Sequence, residues 1–393
     1  MTVIPSTQII LPRILQVGGG ASAELVSVLG SLNCQRPLIV TDVMMVKLGY
    51  VARIREQLSA SGIKSDVFDQ TMPEPTVASI QTGVDMVRDG DYDCLVAIGG
   101  GSPIDSAKAM AVVGKFGGQM QDYKVPRIVD ELGLPLIAIP TTAGTGSEAT
   151  RFTVISDEQT DEKMLCLGKG FMPVAALVDY QLTMSLPPRT TADTGIDALT
   201  HAIEAYVSKK ANPFSDAQAL AAMRLIAPNL RKVYHDGSNI EAREQIMLGA
   251  TLAGIAFSNA SVALVHGMSR PIGAFFHVPH GLSNAMLLPS VTEFSIAGAP
   301  ERYARCAHEM GIANPGLDVQ ASNKILLEEL SALNLDLDVP TLEQFGASKK
   351  RFDQVVKTMA EQALASGSPS NNPRVPSIDQ MIELYQQLWN TLT

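Results

Sequence analysis

Histidine is scarce in this chain, six in 393 residues. Cysteine is scarcer, with Cys34, Cys94, Cys166 and Cys306 far apart and in no Cys-x-x-Cys spacing. That pattern argues against a disulfide framework and reads as reduced, mostly buried thiols of a cytoplasmic protein. Basic residues are outnumbered, 30 Lys and Arg against 40 Asp and Glu for a net charge of -10. Such a balance argues against nucleic acid or an anionic membrane as the main partner. No apolar run approaches the ~20 residues that a bilayer crossing needs. The first residues lack a basic start followed by an apolar core, so no signal peptide is expected. Repeats and low-complexity segments are absent as well. What remains is an ordinary globular composition, 46% hydrophobic and 18% charged, long enough for two domains with sizeable cores.

From residue 8 to about 180, short apolar runs alternate with helical patterns. Segments 37–42, 65–69, 93–98 and 135–139 read as strands, while 51–58 and 76–88 carry helical spacing. Strands separated by helices predict βαβ units and a parallel sheet with helices on both faces. Beyond Leu186-Pro187-Pro188 strand-like runs become rare, and 190–208, 215–235, 240–260, 300–310 and 378–392 carry helical periodicity. The expectation is an α/β domain over 1–186 and an all-helical domain over 187–393. Segment 366–376, rich in Ser, Asn and Pro, reads as an exposed loop.

Three of the six histidines, His266, His277 and His280, fall within 266–284. His266 opens an apolar helical segment, and Pro279 and Gly281 break the backbone around His280. Neutral imidazole is the commonest ligand for borderline transition metals, so the cluster suggests a metal site. The alternative is packed core histidines, each bonded to a backbone carbonyl. A second segment, 194–206, reads as a helix with Ile196, Leu199 and Ile203 on its apolar side. Asp197 and His201 are four apart and meet on one face. Pairs of this kind are often solvated, but this helix is rich in Ala and Leu, and a buried carboxylate requires a partner. One carboxylate with two or three imidazoles is a ligand set for ferrous iron or zinc, which makes a metal site the leading reading. His235 and His308 lie on predicted surface helices and take no role.

In the first half, Gly99-Gly100-Gly101-Ser102-Pro103 is a glycine-rich turn between a strand and a helix. The glycines allow close approach, Ser102 suits an N-cap and Pro103 suits the first turn. Backbone N–H groups and the helix dipole favour a phosphate there; a tight turn with no ligand is the alternative. Asp42, at the end of a strand, can accept from a ribose 2′-hydroxyl and repel a 2′-phosphate, favouring NAD over NADP. It can equally cap a helix. Loop 140–148, with Thr141, Thr142, Thr145 and Ser147, adds glycines and hydroxyls after another strand. Three such loops meet at the carboxyl edge of a parallel sheet, where ligands bind.

Taken together, the motifs resemble the iron-containing (group III) alcohol dehydrogenase family over essentially the whole length. The residues that carry the resemblance are Gly99-Gly-Gly-Ser-Pro-Ile-Asp-Ser-Ala-Lys108, Pro140-Thr-Thr-Ala-Gly-Thr-Gly-Ser-Glu148, Gly195-Ile-Asp-Ala-Leu-Thr-His-Ala-Ile-Glu-Ala-Tyr206, and His266-Gly-Met through Pro279-His-Gly281. The resemblance implies a Rossmann-like dinucleotide-binding domain, a helical domain and an active site in the cleft between them. It implies metal ligation by Asp197, His201, His266 and His280. It likewise implies NAD contacts from Asp42, Gly99, Gly100, Gly101, Ser102, Asp105, Thr141, Thr142, Thr145 and Ser147, with Lys163 and Leu182 as further contacts. Phe257 falls near a position that lines the substrate pocket. A homodimer or larger assembly is implied too.

The chain departs from the family pattern in two places. Arg270 stands where many members carry a histidine, and His277 stands where others have a polar residue, so a proton-relay role could pass to His277. The implied reaction is hydride transfer between a primary alcohol and NAD, with Fe2+ or Zn2+ acting on the alcohol oxygen. Arg270 could bind the carboxylate of a short hydroxy acid or semialdehyde; capping a helix or pairing with a structural acid is the alternative. Rival readings are a glycerol dehydrogenase-like enzyme for secondary alcohols, a dehydroquinate synthase-like lyase and a non-catalytic nucleotide-binding module.

Overall fold

The computed structural model describes residues 6–160 and 162–389. The residues on which a leader sequence was judged, 1–5, therefore lie outside the described residues, as do 390–392 of the last expected helix. The chain divides into two compact units, one spanning Ile10–Met184 and the other running from Ser185 onward together with residues 6–9.

The first unit has strands β1 (Ile14–Val17), β2 (Pro37–Val40), β3 (Asp66–Phe68), β4 (Cys94–Gly99), β5 (Leu136–Pro140), β6 (Phe152–Asp157), β7 (Glu162–Leu167) and β8 (Ala175–Val178). Its helices are α1 (Leu25–Leu32), α2 (Val43–Lys47), α3 (Tyr50–Ala60), α4 (Val77–Asp89) and α5 (Gly101–Phe116). Six strands form a sheet in the order β1-β8-β5-β4-β2-β3, every pair parallel. Side chains alternate across it. Leu38, Val40, Leu95, Ala97, Leu136 and Ala138 pack on one face with residues of α4 and α5. Ile39, Val96, Ile98, Ile137 and Ile139 pack on the other with residues of α1 and α3. Burial on both faces is why these strands read as continuous apolar runs rather than alternating ones. Strands β6 and β7 form a separate antiparallel hairpin that the apolar-run pattern does not reveal. The chain leaves β2 toward β3 but leaves β4 toward β5, on the opposite side. This reversal is the switch point at which loops diverge and open a crevice at the strand ends.

The second unit has no strand among the described residues. Its helices are α6 (Pro188–Val207), α7 (Pro213–His235), α8 (Ile240–Ala260), α9 (Leu264–Phe276), α10 (His280–Ile296), α11 (Pro300–Glu309), α12 (Val319–Asp336), α13 (Leu342–Phe345), α14 (Lys349–Ala365) and α15 (Ile378–Gln387). Pro188 occupies the first turn of α6, where its missing N–H costs nothing. From Thr191 to Val207 nearly every α6 residue is buried. The break between α9 and α10 is sharp: His277 closes α9 in the left-handed region (φ 56°) and Pro279 precedes the first turn of α10. Gly281 lets α10 approach α6, because a Cβ there would lie 2.4 Å from the Asp193 carbonyl oxygen.

Segment 366–376 is not the exposed loop its composition predicts. Ser368, Pro369, Asn371, Asn372 and Pro376 are buried around a short 3-10 turn (Ser368–Asn371). The asparagines are internal ties: Asn371 Nδ2 donates to Ser261 Oγ (3.1 Å) and the Val262 carbonyl (3.2 Å), and Asn372 Nδ2 donates to Ser295 Oγ (2.9 Å). Polarity alone cannot distinguish solvated amides from amides that replace water inside a fold.

Candidate functional site

Helix α6 carries Asp197 and His201 one turn apart, α9 carries His266, and α10 begins with His280. Their side chains converge. Asp197 Oδ1 lies 3.9 Å from His201 Nε2, 3.4 Å from His266 Nε2 and 3.9 Å from His280 Nε2. Four atoms held tetrahedrally at ~2.1 Å from a cation stand roughly 3.4 Å apart; the donor atoms of Asp197, His201 and His266 all lie within 4.8 Å of one another, and the more exposed His280 would close in to complete the set. The side chains of Asp197, His201 and His266 are 2%, 5% and 4% exposed, whereas that of His280 is 42% exposed. The set is therefore closed on three sides and open beside His280. Burial would raise the Asp197 carboxyl, but the imidazoles of His201, His266 and His280 hold it far below the usual carboxylate range.

Two residues that the sequence reading does not single out support this set. Glu204, two turns after Asp197 on α6, lies 2.6 Å from His266 Nδ1 and accepts the Val265 N–H at 2.6 Å. That contact fixes the ring so that Nε2 faces Asp197. Burial alone would depress the His266 imidazole, yet the carboxylates of Glu204 and Asp197 raise it to about 9. Asn284, one turn after His280, donates from Nδ2 to Asp197 Oδ1 at 2.7 Å and lies 3.2 and 3.3 Å from the Nε2 atoms of His266 and His280. The signal for both was helical spacing, since Glu204 falls seven residues after Asp197 and Asn284 four after His280.

Phe257 stacks on His201 (ring centroids 4.2 Å, 19° between planes), and His201 stacks on His266 (4.4 Å, 24°). His277 is exposed at the end of α9 and makes no contact with the four ligand side chains that the structure records. Arg270, four residues after His266, is half-buried. The cap position of α9 belongs to His277, and among the described residues Arg270 forms no ion pair, Glu204 being the acid whose charge it feels. His235 is exposed, and His308 is half-buried with Nε2 3.1 Å from Ser322 Oγ.

The nucleotide-type loops all follow the carboxyl ends of neighbouring strands β2, β4 and β5. Asp42 caps α2, accepting the Met45 N–H at Oδ1 (3.0 Å). The N-cap of α5 is Gly100, not Ser102, which sits inside the first turn. A side chain at the cap would crowd the next loop: a Cβ on Gly100 would lie 3.2 Å from Thr142 Cγ2, and one on Gly101 2.9 Å from Thr145 Cγ2. Gly99 has φ 147° and a Cβ there would meet Pro103 at 2.5 Å. Thr141 N–H donates to the Gly99 carbonyl at 2.9 Å, joining the two loops directly.

Several residues in and around the cofactor-type motifs hold the protein itself. Asp105 accepts Ser147 Oγ–H at 2.6 Å and the Val154 N–H at 3.0 Å. Buried Lys108 donates to the Thr150 carbonyl (2.9 Å), Thr150 Oγ1 (3.0 Å) and the Phe152 carbonyl (2.6 Å). Burial lowers its ammonium to about 8 despite Asp105 and Glu148 nearby. Lys163 pairs with Glu74 at 2.7 Å, and Leu182 is packed in the core beneath the sheet.

The chain matches known proteins along nearly its whole length. The family model for iron-containing alcohol dehydrogenase matches residues 12–180, and that for the C-terminal part of the Fe-containing alcohol dehydrogenase family matches 191–389. The chain is 41% identical to long-chain-alcohol dehydrogenase 1 of Geobacillus thermodenitrificans over 90% of each chain. It is 33% identical to the NAD-dependent methanol dehydrogenase of Bacillus methanolicus, over 96% of this chain and 98% of that one. The crystal structure of a 1,3-propanediol oxidoreductase superposes with a TM-score of 0.93 at 33% identity, covering 98% of this chain and all of the other. Since each unit matches a model of this family and these relatives match nearly end to end, the chain belongs to the iron-containing alcohol dehydrogenase family.

Proposed function

We propose that Asp197, His201, His266 and His280 hold a divalent cation and that the loops after β2, β4 and β5 hold NAD, so that the enzyme interconverts a primary alcohol and its aldehyde. The family establishes an oxidoreductase acting on alcohols and aldehydes, and it implies metal and NAD(H). Membership replaces the lyase and the non-catalytic module as readings. The single observation that carries the residue assignment is the convergence of three imidazoles to within 3.4–3.9 Å of one ionised carboxylate oxygen, Asp197 Oδ1.

When bound, the cation supplies Lewis-acid polarisation of the alcohol or carbonyl oxygen, and NAD(H) exchanges the hydride. The chain's own residues do the rest. Glu204 keeps the His266 ring in one tautomer and orientation, and Asn284 holds Asp197 Oδ1 toward the imidazoles. Phe257, stacked on His201, excludes water from that side of the set. The N-terminus of α5 offers backbone N–H groups to the pyrophosphate, with Thr141, Thr142 and Thr145 beside it. Asp42 spends Oδ1 on its helix cap and has Oδ2 for a ribose hydroxyl, which favours NAD over NADP. His277, three residues before His280 and exposed, would carry the alcohol proton to solvent.

Iron is the metal the family name carries, and the donor set also suits zinc, which binds such sites more tightly than ferrous iron. A cytoplasmic homodimer or larger assembly belongs to the same reading, supported by the family resemblance and by four free, buried cysteines. The test is NADH absorbance with primary and secondary alcohols, on chelator-stripped protein reloaded anaerobically with Fe2+ or Zn2+. Metal-dependent turnover that favours primary alcohols is expected. Full turnover after stripping, or in Asp197→Asn, would overturn the assignment.

A further inference from the structure

The helical unit holds five arginines that are buried or half-buried: Arg189, Arg231, Arg243, Arg270 and Arg302. Four of them are partnered, although Arg189 Nε is left without an acceptor. Arg189 binds Asp193 and two carbonyls, Arg231 binds Glu329 and Asp336, and Arg302 binds Asp216 and the Tyr206 carbonyl. Arg243 donates to Thr191 Oγ1 and to the Gly237 and Leu186 carbonyls. Arg270 alone makes no hydrogen bond, ion pair or ring contact among the described residues.

Its placement makes this informative. Arg270 lies one turn beyond His266 on the same face of α9, and its neighbour Ser269 has Oγ 3.4 Å from His280 Nδ1. That face therefore looks onto the proposed metal set. The charged group it feels most is Glu204, yet both Glu204 oxygens are already committed, to Val265 N–H and His266 Nδ1. A guanidinium stays charged through the accessible pH range even where burial disfavours the charge. Asp197 and Glu204 together balance one divalent cation, which leaves the positive charge of Arg270 uncompensated. Desolvating a fixed charge without a partner is costly, so a protein that keeps one beside its reacting centre has a use for it.

We propose that Arg270 is the specificity-determining residue for an anionic substrate, binding the terminal carboxylate of a short aldehyde whose carbonyl reacts at the metal. The substrate class is an ω-carboxylated aldehyde and its product the corresponding ω-hydroxy acid. The planar fork of Arg suits a carboxylate through two parallel hydrogen bonds. Side-chain origins four apart on a helix are about 6 Å apart, so a chain of a few carbons spans the distance from metal to guanidinium. This inference rests on the metal-site assignment above.

The test uses the metal-loaded enzyme with NADH and compares 4-oxobutanoate with butanal, its neutral counterpart. The ratio of kcat/KM, acid over neutral, should be at least tenfold in the native enzyme and fall to about one in Arg270→Gln, the loss appearing in KM for the acid. Arg270→Lys should retain an intermediate ratio, since it keeps the charge but loses the fork. As a readout independent of turnover, calorimetry should detect 4-hydroxybutanoate binding to the native enzyme and not to Arg270→Gln. If Arg270→Gln does not fold, competitive inhibition of butanal reduction by succinate, weakening with added KCl, tests the same point on the native enzyme. A native preference for butanal, an unchanged ratio in Arg270→Gln, or no inhibition by succinate would overturn the proposal. Reduction of butanal without acid preference would sink the role of Arg270 alone, whereas no reduction of either aldehyde would sink the metal assignment beneath it.

Discussion

The two proposed sites differ in what they are made of. In the helical unit the site is made of side chains: four donor atoms from α6, α9 and α10, braced by Glu204 and Asn284. In the α/β unit it is made of backbone: glycines that carry no side chain, in two loops packed so closely that an added methyl group would force Thr142 or Thr145 to shift. A side-chain site concentrates its function in a few replaceable groups. A backbone site spreads function over the path of the chain, and many of its residues serve to hold that path. The contrast teaches that a single substitution should abolish the first and only erode the second.

The largest expected effect is therefore Asp197→Ala. It removes the one anionic donor and leaves three imidazoles around a buried gap, so metal should no longer survive gel filtration, as read by atomic absorption. NADH binding, followed by fluorescence, should persist if the two sites are built independently. Next comes Glu204→Gln. Changing the group behind a metal-bound imidazole typically costs 10–100-fold in affinity, and a chelator competition should show a loss of that order. A loss under about threefold would mean that Glu204 merely fills space. Smaller still is Gly101→Val, which would drive a side chain against Thr145 Cγ2. NADH affinity should fall about tenfold, roughly 1.4 kcal/mol, with metal content preserved. Loss of metal in that variant would break the comparison.

The sequence reveals these two regions to different depths. Helical spacing and a shortage of histidine bring Asp197, His201, His266 and His280 forward one by one, because a side-chain site leaves its residue types in the sequence. It does not bring forward Glu204, since an acid three residues after a histidine on a helix looks like any solvated pair until the His266 ring is seen against it. In the α/β unit the strands and the glycine turn are legible as a pattern, but individual roles are not. Asp105 and Ser147 lie in motifs that read as cofactor contacts, yet they bond to one another across 42 positions of sequence. Ser102 has the chemistry of a cap, and the close approach of Thr142 reserves that position for Gly100. Spacing along the chain reports neighbours on one element. Contacts between loops follow from tertiary packing, which no local pattern encodes.

A last effect, read in stability rather than in ligand affinity, concerns what braces the backbone site. Lys108 is fully buried beneath the glycine turn and ties α5 to the Thr150 and Phe152 carbonyls. Burial depresses its ammonium from 10.5 to about 8, with Asp105 and Glu148 opposing the fall. The folded state thus releases a proton that the unfolded chain retains between about pH 8 and 10.5. Wherever the unfolded chain binds more protons, stability rises with pH. Below pH 8 the cost of burying the charge is at its maximum, and it is relieved as pH climbs through that window by up to about 3 kcal/mol. Tyrosines and cysteines titrate in the same range, so the measurement must be a difference. Urea unfolding of the native enzyme and of Lys108→Met at pH 7.5 and at pH 10 should show the native chain gaining on the variant as pH rises. If the gap between them does not move, Lys108 is not strained by its burial. The loop it supports would then be held by hydrogen bonds that carry no electrostatic cost.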